Sequence, residues 1–277
     1  MAIAAFKPEV WAADLLVALE KNLVYAAPGV VNRNYEGEIS NYGDTVHIVT
    51  LADPTIGTYT AHTDITIEDV DDAAQQLLIN QSKYFAFEVD DIEKRQARGD
   101  VMPEQARKAA YGLRDVADQY VAGLMAAGAG TVIPAATLAT ASAAYDTIVD
   151  LGVALDEANV PTEGRFVVIT PAFHGLLRKD DRFIATGDAQ AAAARINGLV
   201  GEAGGLSIRV SNNTPAGATT GNFIIAGTPI ATTYAEQIAK TEAFRLEKRF
   251  ADGVKGLHLY GSKVVEGDAL AAIDVTI

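Results

Sequence analysis

Apolar residues recur at helical spacing in two stretches of the chain. Residues at four-residue intervals from Trp11 to Leu23 predict an amphipathic helix over about 8–24. A longer stripe predicts the longest helix, which begins at Pro103 and continues to about 127. Glycines 128 and 130 end this pattern. The Ala-rich stretch 122–144, which also contains Pro134, is expected to be a loop.

Alternating or continuously apolar runs predict the strands. Residues 45–49 and 65–67 alternate within a long β excursion that covers about 35–70. Short apolar runs at 166–169, 207–210 and 223–226 are separated by helical stretches, listed here together: 142–158, 172–177 and 188–197. This order predicts an α/β lobe with a mixed sheet. Residues 242–248 and 256–260 predict a hairpin that pairs with the strand around Phe85, beside the long helix.

The β excursion has an unusual charge pattern. No Lys or Arg occurs between Asn34 and Ser82, whereas Glu and Asp are frequent there. A two-stranded ribbon has little core of its own and is marginally stable in water. We therefore expect the ribbon to lie on something outside itself, which favours a subunit of a larger assembly.

Charge and composition narrow the class of protein. The 277 residues can bury a substantial core, and the net charge of −14 argues against a dedicated nucleic-acid-binding protein. It does not argue against a shell that encloses nucleic acid. The chain has no cysteine, so disulfides and thiolate metal sites are excluded. Neither a secretion signal nor an apolar run long enough to cross a membrane is recognisable.

Residues that could carry catalytic chemistry are scattered. The four histidines show no metal-ligand spacing: His47, His62, His174 and His258. Three adjacent aspartate pairs (71–72, 90–91 and 180–181) are expected to be solvated turns, because neighbouring residues on a strand point to opposite faces. The glycine-containing stretch 198–204 does not match a phosphate-binding loop. We expect no enzyme activity, no cofactor and no metal.

The order of these elements and several local phrases resemble a known family. The phrases are Tyr35-Glu36-Gly37-Glu38-Ile39, Gly43-Asp44-Thr45-Val46, Gly164-Arg165-Phe166-Val167-Val168-Ile169-Thr170-Pro171, Gly204-Gly205-Leu206 and Ser211-Asn212-Asn213. They resemble the major capsid proteins of tailed bacteriophages with the HK97-type fold, and the likeness covers nearly the whole chain.

The resemblance implies an α+β fold with four parts. These are an N-arm (1–34), an extended β-hairpin loop (35–70), a peripheral domain with a long spine helix (71–130 and 240–260), and an α/β axial domain (131–239 and 261–277). It also implies a shell protein that forms hexamers and pentamers and encloses double-stranded DNA in the virion, after assembly in the host cytoplasm. A separate scaffolding protein, a portal and a decoration protein are the expected partners, and no membrane is expected.

Charge suggests how the loop is held. We hypothesise that acidic loop residues lie on basic groups of an adjacent subunit. The acidic set is Glu36, Glu38, Asp53, Asp64 and Glu68, and the basic set is Arg95, Arg98, Arg107, Lys108, Arg245, Lys248 and Arg249. A single exposed ion pair contributes only about 0–1 kcal/mol, but a closed shell repeats each pair in every subunit. The alternative is that the acidic groups are simply solvated.

Two further expectations concern assembly, and two other classes of protein stay open. The loop contains no lysine, so it cannot form a Lys–Asn isopeptide crosslink, and no scaffolding segment precedes the first predicted helix. An encapsulin-like nanocompartment of the same fold is an alternative to the phage capsid. A secreted adhesin or surface-layer protein is a third class, against which the lack of a signal sequence counts.

Overall fold

The structure is a computed structural model that describes residues 24–35, 45–51, 55–59, 61–62, 64, 72–90, 101–180, 201–218, 220–247 and 249–277. The predicted helix at 8–24 lies outside these ranges except for its last residue, and the predicted helix at 188–197 lies outside them entirely.

The longest described element is the predicted spine helix, α1, which spans Val101–Gly128. Its apolar stripe is buried through Ala110, Leu113, Ala117 and Val121. The helix ends at Gly128, where a Cβ atom would lie 2.7 Å from the Val264 side chain. Glycine therefore allows the end of the helix to pack closely on the following sheet.

A three-stranded antiparallel sheet lies beside α1. Its order is β3 (Gln81–Asp90), β10 (Ala251–Val264) and β9 (Thr232–Arg245). This confirms the predicted hairpin and its pairing with the strand around Phe85, which is opposite Gly256. Strand β9 crosses the expected domain boundary at 239/240, and strand β10 crosses the one at 260/261. No break in the strands marks either boundary, so the division into domains stays a prediction.

A six-stranded mixed sheet forms the α/β lobe. Its order is β4 (Thr131–Thr137), β11 (Leu270–Thr276), β8 (Asn222–Gly227), β5 (Phe166–Ile169), β7 (Leu206–Val210) and β6 (Glu202–Ala203). Helices α2 (Ala141–Glu157) and α3 (Pro171–Leu177) accompany it. Thr140 and Thr170 are the N-cap residues of these helices. Each hydroxyl accepts a hydrogen bond from the backbone N–H three residues later.

The central strand β5 separates two cores. Val167 and Ile169 pack with Ile148 and Leu151 of α2, whereas Phe166 and Val168 belong to a cluster that includes α1. Successive strand residues point to opposite faces, so one buried strand serves both cores. The second cluster also contains Tyr25, Ala26, Val30 and Val31 of the N-terminal segment 24–35.

The expectation of a loop over 122–144 was wrong. Helix α1 continues to Gly128, and strand β4 and the first turn of α2 occupy most of the rest. Strand β4 is an edge strand that pairs in parallel with β11 alone. Pro134 is tolerated in this strand because an edge strand has a neighbour on one side only, so the N–H that proline lacks is not needed to pair with a second strand.

The ribbon consists of β1 (Thr45–Leu51) and β2 (Asp72–Leu78), which pair antiparallel from Thr45↔Leu78 to Leu51↔Asp72. The first strand was predicted, and it pairs with 72–78. The predicted strand at 65–67 lies outside the described residues. The ribbon continues past residue 70, where the excursion was expected to end, and its second strand lies in the segment assigned to the peripheral domain.

Candidate assembly surfaces

A buried carboxylate fastens the N-terminal segment to the spine helix. The Asp118 side chain of α1 is 3% exposed, and its Oδ1 accepts hydrogen bonds from three successive backbone N–H groups. The N···O distances are 3.0 Å from Val24, 2.7 Å from Tyr25 and 3.4 Å from Ala26. Asn213 of the α/β lobe donates its amide to Oδ2 at 3.0 Å. One side chain therefore joins the N-terminal segment 24–35, the spine helix and the α/β lobe.

The electrostatics of Asp118 balance two opposing effects. Burial raises the carboxyl pKa above its ordinary value, while the hydrogen bonds from Asn213 and the three backbone amides lower it and only partly compensate. Tyr25 lies beside it, and burial, together with the Asp118 charge, raises the pKa of its phenol far above the ordinary value. Tyr25 therefore stays neutral and packs as an apolar group.

A second polar cluster connects the N-terminal segment 24–35 to the three-stranded sheet. The Glu236 side chain on β9 is 7% exposed and forms an ion pair with Arg33 of the arm. The Tyr234 hydroxyl donates to its Oε2 at 2.7 Å, and His258 Nε2 on β10 lies 3.3 Å from the same atom. Burial raises the pKa of Glu236, but His258, Arg33 and Tyr234 outweigh it, so the net shift is downward.

Sequence reasoning missed Asp118, Glu236 and Arg33. A signal existed for Asp118, because it falls between Ala117 and Val121 on the apolar stripe of the predicted helix. A charged residue there must find hydrogen-bond partners when the stripe is buried. Its partners, 93 and 95 residues away for Tyr25 and Asn213, could not be deduced from the pattern.

The base of the ribbon packs on one particular face of the three-stranded sheet. Ile48, Leu77 and Ile79 form a cluster with Ala235 of β9 and Leu259 of β10. Gly261 belongs to the same face as Leu259, and a Cβ atom there would lie 2.4 Å from the Leu78 carbonyl oxygen. Tyr234 and Tyr260 adjoin Ala235 and Leu259 on the same strands, so they point to the other face of the sheet, where they pack with α1. The ribbon base and the spine helix therefore cover opposite faces of the sheet.

Apolar side chains are exposed on this sheet, in the turn between β9 and β10, and at the ribbon tip. Tyr84 is 79% exposed, Phe250 is 80% exposed and Phe244 is 40% exposed. At the tip, Ile56 is 96% exposed and Tyr59 is 68% exposed. Large exposed apolar groups that cluster on one surface mark interaction sites.

The sequence-predicted contact residues fall into three groups. Seven lie outside the described residues: Glu36, Glu38, Asp53, Glu68, Arg95, Arg98 and Lys248. Asp64, and Arg107 and Lys108 on α1, are exposed. Arg245 and Arg249 pair within the chain, with Asp252 and Glu88 respectively, each at 2.8 Å. A single subunit does not test contacts between subunits, so their role there stays a prediction.

The described residues offer little for small-molecule chemistry. A cavity of about 430 Å³ lies where β5 and β7 end, and it is lined mainly by Thr, Asn, Pro and Ile side chains. Within the described ranges, no three His, Asp or Glu side chains come together in a way that could hold a metal ion. Among the same residues, no helix is long and apolar enough to cross a membrane.

An exposed ribbon, a long spine helix and a mixed-sheet lobe together define the class of viral shell proteins with the HK97-type fold. A family model described as phage capsid protein matches residues 74–274. The chain therefore belongs to the phage capsid protein family, and the predicted fold and class of protein are confirmed. No curated protein sequence matches the chain significantly.

Solved structures agree with this assignment. A protein of Mycobacterium phage Che8 is 30% identical, with a TM-score of 0.78 and 91% of each chain covered. The capsid structure of cyanophage P-SCSP1u gives 17% identity and a TM-score of 0.71 over 86% of this chain and 85% of that one. A virus-like particle from Pyrococcus furiosus shares the fold at 14% identity, with a TM-score of 0.58 over 96% of this chain and 98% of that one.

Proposed function

We propose that this capsid protein is the major shell subunit of a tailed phage, and that its copies self-assemble as hexamers and pentamers into an icosahedral head around double-stranded DNA. The observation that carries the proposal is the ribbon. Its base is built into the subunit core through Leu77 and Ile79, yet its tip leaves Ile56 almost fully exposed. A neighbouring copy that covers the tip would remove this apolar surface from water.

Two buried polar contacts also hold parts of the subunit together. Asp118 and Glu236 fasten the arm at two points, one on the spine helix and one on the peripheral sheet. The arm is therefore connected to the helix and to both sheets by buried contacts. This supports a role in a shell that must resist internal pressure.

The acidic balance of the chain suits a container for DNA. A net charge of −14 disfavours tight general binding to the phosphate backbone, so the genome would be enclosed without sequence-specific contacts. A scaffolding protein, a portal and a decoration protein are proposed partners in the same assembly. Assembly in the host cytoplasm and residence in the virion complete the proposal.

Two surfaces of a neighbouring subunit could receive the loop. One is the basic end of α1, where Arg107 and Lys108 are exposed and would attract the acidic loop. Arg245 and Arg249 are weaker candidates for this role, since each already pairs with a carboxylate of its own chain. The other is the exposed aromatic surface around Tyr84.

The test is negative-stain electron microscopy of the purified chain after size exclusion, expressed alone and together with its neighbouring genes. Uniform closed shells in either preparation support the proposal. Monomers or dimers in both preparations contradict it.

The fold is also that of the Pyrococcus furiosus virus-like particle, so an encapsulin-like nanocompartment is the second candidate. The content of the purified shells separates the two functions. A phage head yields scaffold or DNA, whereas a nanocompartment yields a single cargo enzyme.

A further inference from the structure

A buried histidine lies where the N-terminal segment 24–35 meets the three-stranded sheet. His258 on β10 is 1% exposed, and its Nε2 atom is 3.3 Å from Oε2 of Glu236 on β9. Its ring lies 5.1 Å from the ring of Tyr260, measured between centroids. Neither ring nitrogen makes a well-directed hydrogen bond within the described residues, although Nε2 is this close to the carboxylate. The surroundings therefore accommodate a neutral imidazole.

The carboxylate of Glu236 lies between two nitrogen groups that can carry positive charge. Arg33 of the segment forms an ion pair with Oε1, and its guanidinium carbon is 5.5 Å from the centre of the Tyr234 ring. The Tyr234 hydroxyl donates to Oε2 at 2.7 Å, and His258 approaches the same oxygen. An imidazolium at His258 would therefore compete with Arg33 for one negative charge.

A proton on His258 changes the charge balance of this cluster. With a neutral imidazole, the charges of Arg33 and Glu236 sum to zero. Burial raises the pKa of Glu236, but its partners His258, Arg33 and Tyr234 bring it below the ordinary value, so the carboxylate stays charged in mild acid. An imidazolium then leaves a net positive charge among side chains that are at most 14% exposed. Like charges with so little solvent between them repel each other.

The two cations differ in how firmly the backbone holds them. His258 lies on the central strand β10, which pairs with β3 on one side and with β9 on the other. Arg33 follows Asn32, whose N–H donates to the Thr232 carbonyl at 2.9 Å and whose carbonyl accepts from the Tyr234 N–H at 3.0 Å. Repulsion is therefore relieved more easily by movement of Arg33 than by movement of the strand.

The other titratable neighbours of His258 do not offset this repulsion. Lys83 on β3 is opposite His258 in the pairing register and is exposed, and it is a further cation. Burial raises the pKa of Tyr234 well above its ordinary value and that of Tyr260 to about 12, so both phenols stay neutral. From α1, Tyr120 contacts the Tyr260 ring edge to face. Glu236 is therefore the anion of this group of neighbours.

We propose that His258 is a proton-operated switch: its protonation displaces Arg33 from Glu236 and detaches residues 32–35 from β9. Residues 24–26 stay in place, because Asp118 holds them independently. Acidification would thus change how the N-terminal segment is held while the sheet keeps its fold. This inference concerns the single subunit and goes beyond the proposed function, because it does not require that copies of the chain form a shell.

Amide hydrogen exchange of the full chain, resolved by residue, tests the switch. The Asn32 and Tyr234 amides report on the contact between the segment and β9, and the amides of the buried strand β5 are the reference. Protection factors remove the direct effect of pH on the exchange chemistry. They are compared at about pH 8 and about pH 5.5, because imidazole ordinarily changes its charge within this range.

In the wild-type chain, we expect the protection of Asn32 and Tyr234 to fall about tenfold or more at the lower pH, while that of β5 changes less than about threefold. His258→Gln places an amide N–H near the position of Nε2 but takes up no proton. In this variant, protection should change less than about threefold between the two pH values. Wild-type protection that does not fall, or an equal fall in His258→Gln, would overturn the proposal.

Two further variants distinguish His258 from other groups that hold the segment. Arg33→Gln keeps a hydrogen-bond donor but removes the charge that an imidazolium would repel, so the fall with pH should disappear, and this result decides the matter even if His258→Gln does not fold. Asp118→Asn removes another buried carboxylate, so the fall should persist there. A fall that persists in Arg33→Gln and disappears in Asp118→Asn would assign the response to Asp118 and overturn the proposal. Shell formation is tested separately by electron microscopy, so failure of the switch leaves the proposed function standing.

Discussion

The hydrogen bonds that Asp118 accepts lead to a prediction that one substitution can test. In Asp118→Ala, the backbone amides of Val24, Tyr25 and Ala26 lose their shared acceptor, and the Asn213 amide loses its own. These donors are buried or partly buried, and a hydrogen bond to a charged acceptor contributes about 1.5–3 kcal/mol. Because three donors share one oxygen and one contact is long, we expect a loss of about 3 kcal/mol rather than the full sum.

Amide hydrogen exchange measures this loss locally, in shells or in the isolated subunit. A loss of about 3 kcal/mol corresponds to roughly a 100-fold rise in the exchange rate of the amides of residues 24–26. Exchange in helix α2, whose buried residues belong to the other core, serves as the internal reference. The reasoning is refuted if arm exchange changes less than threefold, or if α2 exchanges faster to the same extent.

Asp118→Asn is the matched control. The amide oxygen still accepts from the arm, and the Asn213 amide can rotate so that its oxygen faces the new NH₂ group. Burial raises the Asp118 pKa, which means that folding favours the uncharged form and that this contribution is lost as pH rises through the folded pKa. Removing the charge should therefore cost about 1 kcal/mol or less, the net value of a neutral hydrogen bond.

Three further predictions follow from named contacts. Glu236→Gln should lower the free energy of unfolding by about 2 kcal/mol at neutral pH. The pKa of Glu236 is lowered in the folded protein, so the difference in free energy of unfolding between wild type and variant should narrow as pH falls through that pKa. A difference that stays constant with pH in guanidinium titrations would contradict a stabilising role of the Glu236 charge. Gly261→Ala should cost about 1–3 kcal/mol because its Cβ would meet the Leu78 carbonyl, and an unchanged melting temperature would contradict this. Reversing Arg107 and Lys108 to Glu should lower the yield of assembled shells, because these groups would then repel the acidic loop of a neighbour. An unchanged yield would contradict the charge hypothesis.

Local patterning predicted most of the fold. The apolar stripe gave α1, because a helix that buries one face must repeat its apolar residues at helical spacing. The run at 166–169 gave β5, although only the structure shows that its two faces serve different cores. The pattern ended the β excursion at about residue 70, whereas the strand that pairs with β1 spans 72–78, because pairing is decided by contacts that sequence alone does not show.

The candidate surfaces were less predictable. The role of Asp118 depends on its hydrogen bonds with Tyr25 and Asn213, which only the folded chain brings together. The exposed aromatic surface around Tyr84 arises because Tyr84 and Phe244, on strands far apart in sequence, share one side of a sheet. Charge counting drew attention to basic residues instead, because sequence does not show that Arg245 and Arg249 are paired within the subunit.

The most direct test is a cryo-electron microscopy map of shells assembled from this chain. We expect a closed shell in which density for the ribbon tip, residues 55–59, lies against an adjacent copy and covers Ile56. A shell in which the tip projects into solvent would contradict the role of the ribbon in assembly. Failure of the chain to form any closed shell with its natural assembly partners would contradict the function itself.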